Sequence, residues 1–394
     1  MNTRLNIRYS AMQGSYWAMS GIIFNFAAVY LQARAYSNYE IGIIITVGNI
    51  VTIATQPLLA ALIDRRGQRS LVGCIGIMSL LSVLLSMVLL FTPENSLPIS
   101  SAYVLLITAN LLMQPLCTAL CFYVESWGYH INFGRARAVG SLCYSASMLV
   151  LGTLVERTSA DAIPLSLIAV MVICGVVALL FGGTQKRSAP PLEQERSDAQ
   201  ASSSLGVFVS QNKRFVVFLT GVALIYFTHS LLSNFFIEFV RNVGGDKSDM
   251  GKILAFMSIA EVPVMLFFSK LLKRFSCRFM LCLAAVMFTV KELAIYLASD
   301  LPSFYAAEAL QALSFALLLP AAVQHINDTI PEKDVVKGQS FFTAAITLGS
   351  VFAGYFGGLL LDGCGVETTL LVGVIVSAVG TAVAVPAIAG KKKS

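Results

Sequence analysis

Apolar residues run in long, nearly unbroken stretches separated by short polar turns. Twelve such stretches lie near 9–33, 41–63, 70–92, 100–124, 136–155, 162–182, 214–238, 250–272, 279–298, 302–326, 338–361 and 367–389. Each approaches the roughly 20 residues that a helix needs to cross the hydrocarbon of a bilayer. The runs are continuous, unlike the short alternating segments of a transmembrane β-barrel. They predict an all-α membrane protein of twelve transmembrane helices. Composition agrees: 57% of the 394 residues are hydrophobic and 12% charged, whereas a soluble domain carries about 25% charged residues.

One segment breaks the pattern. Residues 183–212 contain Pro190-Pro191, the run Glu193-Gln194-Glu195-Arg196 and Ser202-Ser203-Ser204. That composition reads as a flexible linker. It separates six stretches (1–182) from six (213–394), predicting two six-helix bundles. A basic turn follows the second stretch, Asp64-Arg65-Arg66-Gly67-Gln68-Arg69. Another follows the eighth, Lys270 to Arg274 with Arg278. This internal echo is the mark of duplicated, pseudo-symmetric bundles.

The net charge of +6 matters less than its distribution. The N-terminus and every second turn after it hold most of the Lys and Arg, among them Arg4, Arg8, Arg135, Lys186, Lys333 and Lys391. The positive-inside rule then puts both termini in the cytoplasm, and the expected location is the cytoplasmic (inner) membrane. The basic character thus reflects topology and predicts no nucleic-acid partner. Arg4 and Arg8 before a long apolar run read as the start of a first span. The eight cysteines show no CxxC pair and read as buried thiols, with no metal site and no disulfide framework expected.

Charges inside the stretches are the most informative departure. Glu238, Glu261, Lys291, Glu292 and Glu308 all fall within apolar runs of the C-terminal half. A charge at the bilayer centre costs roughly 2.5–3.5 kcal/mol on insertion scales, so such residues pair or face water and mark solute or ion pathways. His229 lies mid-stretch; histidine as a residue type titrates near neutral pH, so it reads as a proton site or substrate hydrogen-bond partner, or simply as an interhelical bond. Gln13, Trp17, Ser20 and Phe24 share one face of the first stretch with Asn25 beside them, and the fourth carries Asn110 and Gln114. Each reads as a ligand or as interhelical glue.

Two motifs carry a resemblance. The turn Asp64-Arg65-Arg66-Gly67-Gln68-Arg69 resembles the cytoplasmic signature loop of the major facilitator superfamily, with Ala60 in place of its leading glycine. The segment Phe133-Gly134-Arg135-Ala136-Arg137-Ala138-Val139-Gly140 resembles that of lactose permease and the related oligosaccharide, nucleoside and phenylpropionate proton symporters. The resemblance implies the major facilitator fold and alternating access. It implies that Arg137 binds substrate and pairs with an acid, here Glu125, because Cys121 occupies the family's acid position. It implies that Tyr144 stacks on substrate, and that Glu261 and Lys291 take part in proton coupling. The tenth stretch departs from the family: Glu308, Gln311 and Ser314 stand where the permease has a Lys, His, Glu series. A Lys291–Glu308 or Lys291–Glu261 pair is the expected substitute. Lys291 and Glu292 lie about 100° apart around a helix and are not expected to face the same way.

The expected function is secondary active transport: proton-coupled symport of a small polar organic solute such as a sugar, oligosaccharide or nucleoside. Candidate substrate-binding residues are Trp17, Asn25, Gln114, Glu125, Arg137, Tyr144 and His229. Candidate proton-coupling residues are Glu261, Lys291, Glu292 and Glu308. An organic-acid or aromatic-acid symporter is an alternative, because Arg137, Lys291 and His229 all suit a carboxylate. A drug/proton antiporter is another, although the fifth stretch lacks the proline of that group's G-P-x-x-G-G-type motif. The expected partners are solute, protons and the lipid bilayer, with the chain acting as a monomer. No HExxH, GxSxG or phosphate-cradling loop is present, so neither an enzyme nor a cofactor is expected.

Overall fold

A computed structural model describes residues 3–66, 70–92, 94–125, 129, 131–188, 205–331 and 334–389. The chain folds into α1 (Thr3–Asn25), α2 (Ala27–Ala33), α3 (Asn38–Arg66), α4 (Ser70–Phe91), α5 (Leu97–Glu125), α6 (Phe133–Arg157) and α7 (Ala162–Ser188). After the linker come α8 (Leu205–Gln211), α9 (Lys213–Asn234), α10 (Phe236–Asn242), α11 (Lys247–Arg274), α12 (Cys277–Tyr296) and α13 (Leu301–Ala309). A 3₁₀ turn at Leu310–Ala312 leads to α14 (Phe315–Thr329), and α15 (Val335–Ala389) completes the fold. No strand occurs among the described residues. The signature-loop residues Gly67 and Arg69 and linker residues 189–204 lie outside the described residues. The remainder of the expected linker is helical, ending α7 and forming α8.

Every one of the twelve apolar stretches falls on helix. Among the described residues, ten helices are long and apolar enough to cross a membrane. The longest, α15, has 55 residues. At 1.5 Å per residue that far exceeds a hydrocarbon core of about 30 Å. It is broken at Gly365, with φ 77° and ψ 176°, a backbone shape that favours glycine. The break falls between the expected stretches 338–361 and 367–389. α1 is not among the ten, because polar residues dilute its apolar character. Those polar side chains are largely buried, Gln13, Ser15 and Asn25 among them.

Chain packing defines two units. One comprises Met1–Leu192, Asn234–Ile237 and Gly245–Ser258; the other comprises Glu193–Ser233, Glu238–Gly244 and Ile259–Ser394. In the first, α1 is the central helix, packed by α5, α6 and α7. Tyr9, Met12, Met19 and Ile23 are buried along it. Its backbone is pinned by a partner's tyrosine, with Tyr103 Oη donating to the Ile23 carbonyl at 2.8 Å. At the far end of α2, Arg34 forms an ion pair with Asp161 and lies over the Tyr30 ring.

In the second unit α9, α12, α14 and α15 enclose an apolar core that includes Phe218, Val222, Ile225, Leu281, Phe288 and Ala322. Helix starts are set by side-chain caps. Ser276 Oγ accepts from the Phe279 amide at 3.2 Å. Asp300 and Ser303 form a reciprocal capping box that satisfies two amides otherwise left orphaned. Large apolar side chains such as Leu58, Ile77, Leu179 and Leu266 stand exposed, as a lipid-facing surface requires.

Close helix contact in the second unit depends on glycine. A Cβ on Gly349 would run into the Ala223 carbonyl and come within 2.9 Å of the Phe227 amide nitrogen, so α15 and α9 approach backbone to backbone there. Relieving such overpacking costs about 1–3 kcal/mol. Gly349→Ala is therefore expected to lower the thermal midpoint of the purified protein. Gly73→Ala, at a position where nothing lies within 4 Å, is expected to leave it unchanged or raise it slightly through helix propensity. Equal effects at the two positions would contradict this packing.

Candidate functional site

Each unit carries a buried string of polar side chains. In the first, the string runs along α1. The Trp17 indole donates to Gln13 Oε1 at 3.2 Å, Gln13 Nε2 donates to Tyr9 Oη at 2.8 Å, and Tyr9 Oη donates to the Cys117 carbonyl of α5 at 2.9 Å. Residues 9, 13 and 17 are one helical turn apart and so share a face. Each polar group orients the next, and the last is anchored on backbone. Gln13 is only 3% exposed, so leaving any member unbonded would carry a desolvation penalty.

The string ends under a cation. The Arg137 guanidinium carbon sits 3.8 Å from the Trp17 ring centroid, and Arg137 Nη1 donates to Ser141 Oγ at 2.9 Å. Gly140 makes room for this stack, since a Cβ there would approach Trp17 Cδ1 to 2.6 Å. A guanidinium over an indole face gains about 0.5–2 kcal/mol, and its planar fork suits oxygen acceptors. Two turns along α6, Tyr144 Oη accepts from Asn25 Nδ2 at 3.0 Å, and the same amide donates to the Gly21 carbonyl at 3.0 Å. Arg137, Trp17, Tyr144 and Asn25 thus belong to one α1–α6 seam. Gln114 is exposed. The Glu125 side chain lies outside the described residues.

In the second unit the string centres on Lys291 of α12. Lys291 Nζ lies 2.8 Å from Glu308 Oε2, with the two side chains 3% and 0% exposed. The same ammonium donates to Gln311 Oε1 at 2.6 Å, and Gln311 Nε2 donates to Glu261 Oε1 of α11 at 3.1 Å. Glu261 is therefore linked to Lys291 through Gln311. Glu308 and Gln311 flank the point where α13 gives way to the 3₁₀ turn. A membrane helix interrupted in this way exposes backbone and re-aims side chains, a feature of transporter binding sites.

The ion pair is incomplete as a hydrogen-bonded unit. The ammonium touches Glu308 without the alignment of a hydrogen bond, and neither Glu308 oxygen has a hydrogen-bond donor among the described residues. Buried carboxylates ordinarily accept several. Glu292, the next residue on α12, is 2% exposed and faces another way, towards Thr228 and Gly373. The buried set of Lys291, Glu292 and Glu308 thus holds two carboxyls and one ammonium. Glu238 pairs instead with Arg241 at 3.1 Å near the end of α10.

His229 occupies an aromatic box. Its ring stacks on Phe315 with centroids 4.8 Å apart and meets Tyr226 and Phe288 edge-on, each at 5.8 Å. The Tyr226 hydroxyl is buried and has no hydrogen-bond partner among the described residues. Tyr9 in the first string, and Tyr226 and Phe315 around His229, do not stand out from sequence, each being an aromatic residue on an apolar helix. Only the helix rotations reveal them. No cluster of three or more His, Cys, Asp or Glu that could hold a metal exists among the described residues.

The maltose permease of Geobacillus stearothermophilus is 26% identical over 352 residues, covering 87% of this chain and 84% of that protein. The probable 3-phenylpropionic acid transporter of Escherichia coli K12 is 23% identical over 351 residues, covering 86% and 88% respectively. The crystal structure of a mutant of the nucleoside transporter NupG superposes with a TM-score of 0.80 at 14% identity, covering 98% of this chain and 100% of that one. The family model described as the MFS_1 like family matches residues 7–372. The chain therefore belongs to that family and is a multi-pass, non-enzymatic membrane transporter of the major facilitator superfamily.

Proposed function

We propose that the protein is a proton-coupled symporter of a small polar organic solute, a sugar, oligosaccharide or nucleoside, working by alternating access. The observation that carries the coupling half of this reading is the buried Lys291–Glu308 pair at the helix break, whose carboxylate has no aligned hydrogen-bond donor among the described residues. With two carboxyls beside one ammonium, the set of Lys291, Glu292 and Glu308 has the capacity to take up a proton. A neutral set costs less to move through a dry barrier than a charged one. Gln311 ties Glu261 to the same ammonium, so a change at either acid is felt at the other.

The solute half rests on the α1–α6 seam. The Arg137 fork suits hydroxyl oxygens, and Tyr144 offers both a ring face and a hydroxyl. In this reading residues 1–182 and 213–394 are two six-helix halves joined by the linker 183–212. They expose the solute to one face of the membrane and then the other. The chain acts as a monomer in the cytoplasmic membrane with both termini inside, as the distribution of basic turns supports. A second reading, symport of an aromatic or other organic acid, is favoured by one feature: the His229 ring sits in a box of aromatic side chains beside Lys291. The relative named as a 3-phenylpropionic acid transporter supports that alternative.

The first test is a thermal-shift panel of sugars, nucleosides and aromatic acids, followed by uptake into proteoliposomes under an imposed pH gradient. Glu308→Gln is expected to abolish gradient-driven accumulation while leaving solute exchange at equal concentrations. Unchanged accumulation would remove Glu308 from the coupling set.

Lys291→Met strands a buried carboxylate and is expected to cost about 3–5 kcal/mol of stability. The double variant Lys291→Met/Glu308→Gln should recover most of that loss in thermal unfolding, and failure to recover it would mean the pair is not an energetic unit. Arg137→Lys loses the planar fork over Trp17. Solute binding followed by Trp fluorescence is expected to weaken about tenfold, and wild-type affinity would exclude Arg137 as the anchor.

A further inference from the structure

A cavity lies within the second unit, lined by none of the residues of the Lys291 string. It has a volume of about 600 Å³ and opens where α9 and α12 begin and α14 and α15 end. Its polar wall is formed by Lys213, Arg214, Arg278, His325, Asp328 and Thr329, over a floor that includes Phe218. Cations outnumber the one acid. That acid is already engaged, since Asp328 Oδ1 accepts from Gln324 Nε2 at 2.8 Å. The first turns of two long helices, α9 and α12, contribute Lys213, Arg214 and Arg278, and helix N-termini favour anions.

The independent observation is His325. It is 8% exposed, yet its ring lines the cavity and makes no hydrogen bond among the described residues. The edge contact with Phe218, at 5.8 Å between centroids, holds the ring in place. Arg278 is exposed and makes no ion pair among the described residues. The His325 ring nitrogens open onto the cavity and have no protein partner among the described residues; beside a cation, in a lining where basic residues outnumber acids, they suit an anion with several acceptor oxygens.

We propose that this pocket binds a phosphate-bearing anion, held by Arg278, Arg214 and the His325 ring. The wall faces the side of the membrane to which the basic turns point, the side rich in anionic headgroups, where basic pockets between helices take lipid phosphates. A lipid phosphodiester and free inorganic phosphate offer the same oxygens. The site does not depend on the transport reading.

The test uses the full-length protein in mixed micelles. Retention of phosphatidylglycerol against phosphatidylcholine is read by native mass spectrometry, and thermal protection is measured in parallel with inorganic phosphate. Preferential retention of phosphatidylglycerol, weakened about fivefold in Arg278→Gln, as one basic side chain is worth near an anionic surface, identifies a headgroup. Saturable protection by phosphate, equally sensitive to Arg278→Gln and without lipid preference, identifies a free anion. Either result supports the site. His325→Phe keeps the ring and removes its donor, and should weaken whichever ligand binds. Asp328→Asn removes the one negative charge and should tighten binding about fivefold, so a gain of function remains readable if other variants fold poorly. Equal retention of both lipids with no effect of phosphate, or no tightening in Asp328→Asn, would overturn the proposal.

Discussion

The second unit is organised around an ammonium and a carboxylate taken fully out of water. Lys291 and Glu308 meet at 2.8 Å with almost no solvent exposure, and everything near them follows from the cost of that burial. Desolvating two charges uses up most of what their attraction returns, so a buried pair is a weak stabiliser beside well-packed apolar residues. The pair is better understood as a poised charge arrangement. It sits where α13 breaks into a 3₁₀ turn, a hydrogen bond from Gln311 extends it to Glu261, and Glu308 has no hydrogen-bond donor among the described residues. An arrangement in which carboxyls outnumber the ammonium can respond to a proton or a polar ligand.

The first unit solves a different problem. There a single fixed cation, Arg137, lies on an indole whose own N–H is tied through Gln13 and Tyr9 to the α5 backbone. The chain of hydrogen bonds leaves Trp17 little freedom, and Trp17 in turn positions the guanidinium. Glycine at 140 lets the ring in, and the same device at Gly21 admits Tyr144. Preorganisation of this kind lowers the ordering cost of binding. The two units thus hold complementary chemistry, a permanent charge on a rigid platform and a set of titratable charges at a broken helix.

Much of this architecture was legible in the sequence. The apolar runs all fall on helix, because burial in lipid demands continuous helix. Lys291 and Glu308 stood out because charges in such runs are rare. What periodicity does not give is the rotation of one helix against its neighbour. That rotation decides that Lys291 meets Glu308 directly but Glu261 only through Gln311, that Glu292 turns towards Thr228, and that Gln114 stands exposed. It also puts His325, an unremarkable histidine near the end of a stretch, on the wall of a cationic cavity. The breaks at Phe26 and at 310–314 are equally silent in sequence, since neither is marked by glycine or proline.

The claim that a solute is felt as a change of charge at the Lys291 string is tested most directly by infrared difference spectroscopy of the reconstituted protein. The spectra are recorded with and without the solute found in the ligand panel, at constant pH. The account predicts a difference band in the carboxylic acid C=O region that disappears or shifts in Glu308→Gln. A solute that binds with no change in that region, in a protein that still accumulates it against a gradient, would contradict it.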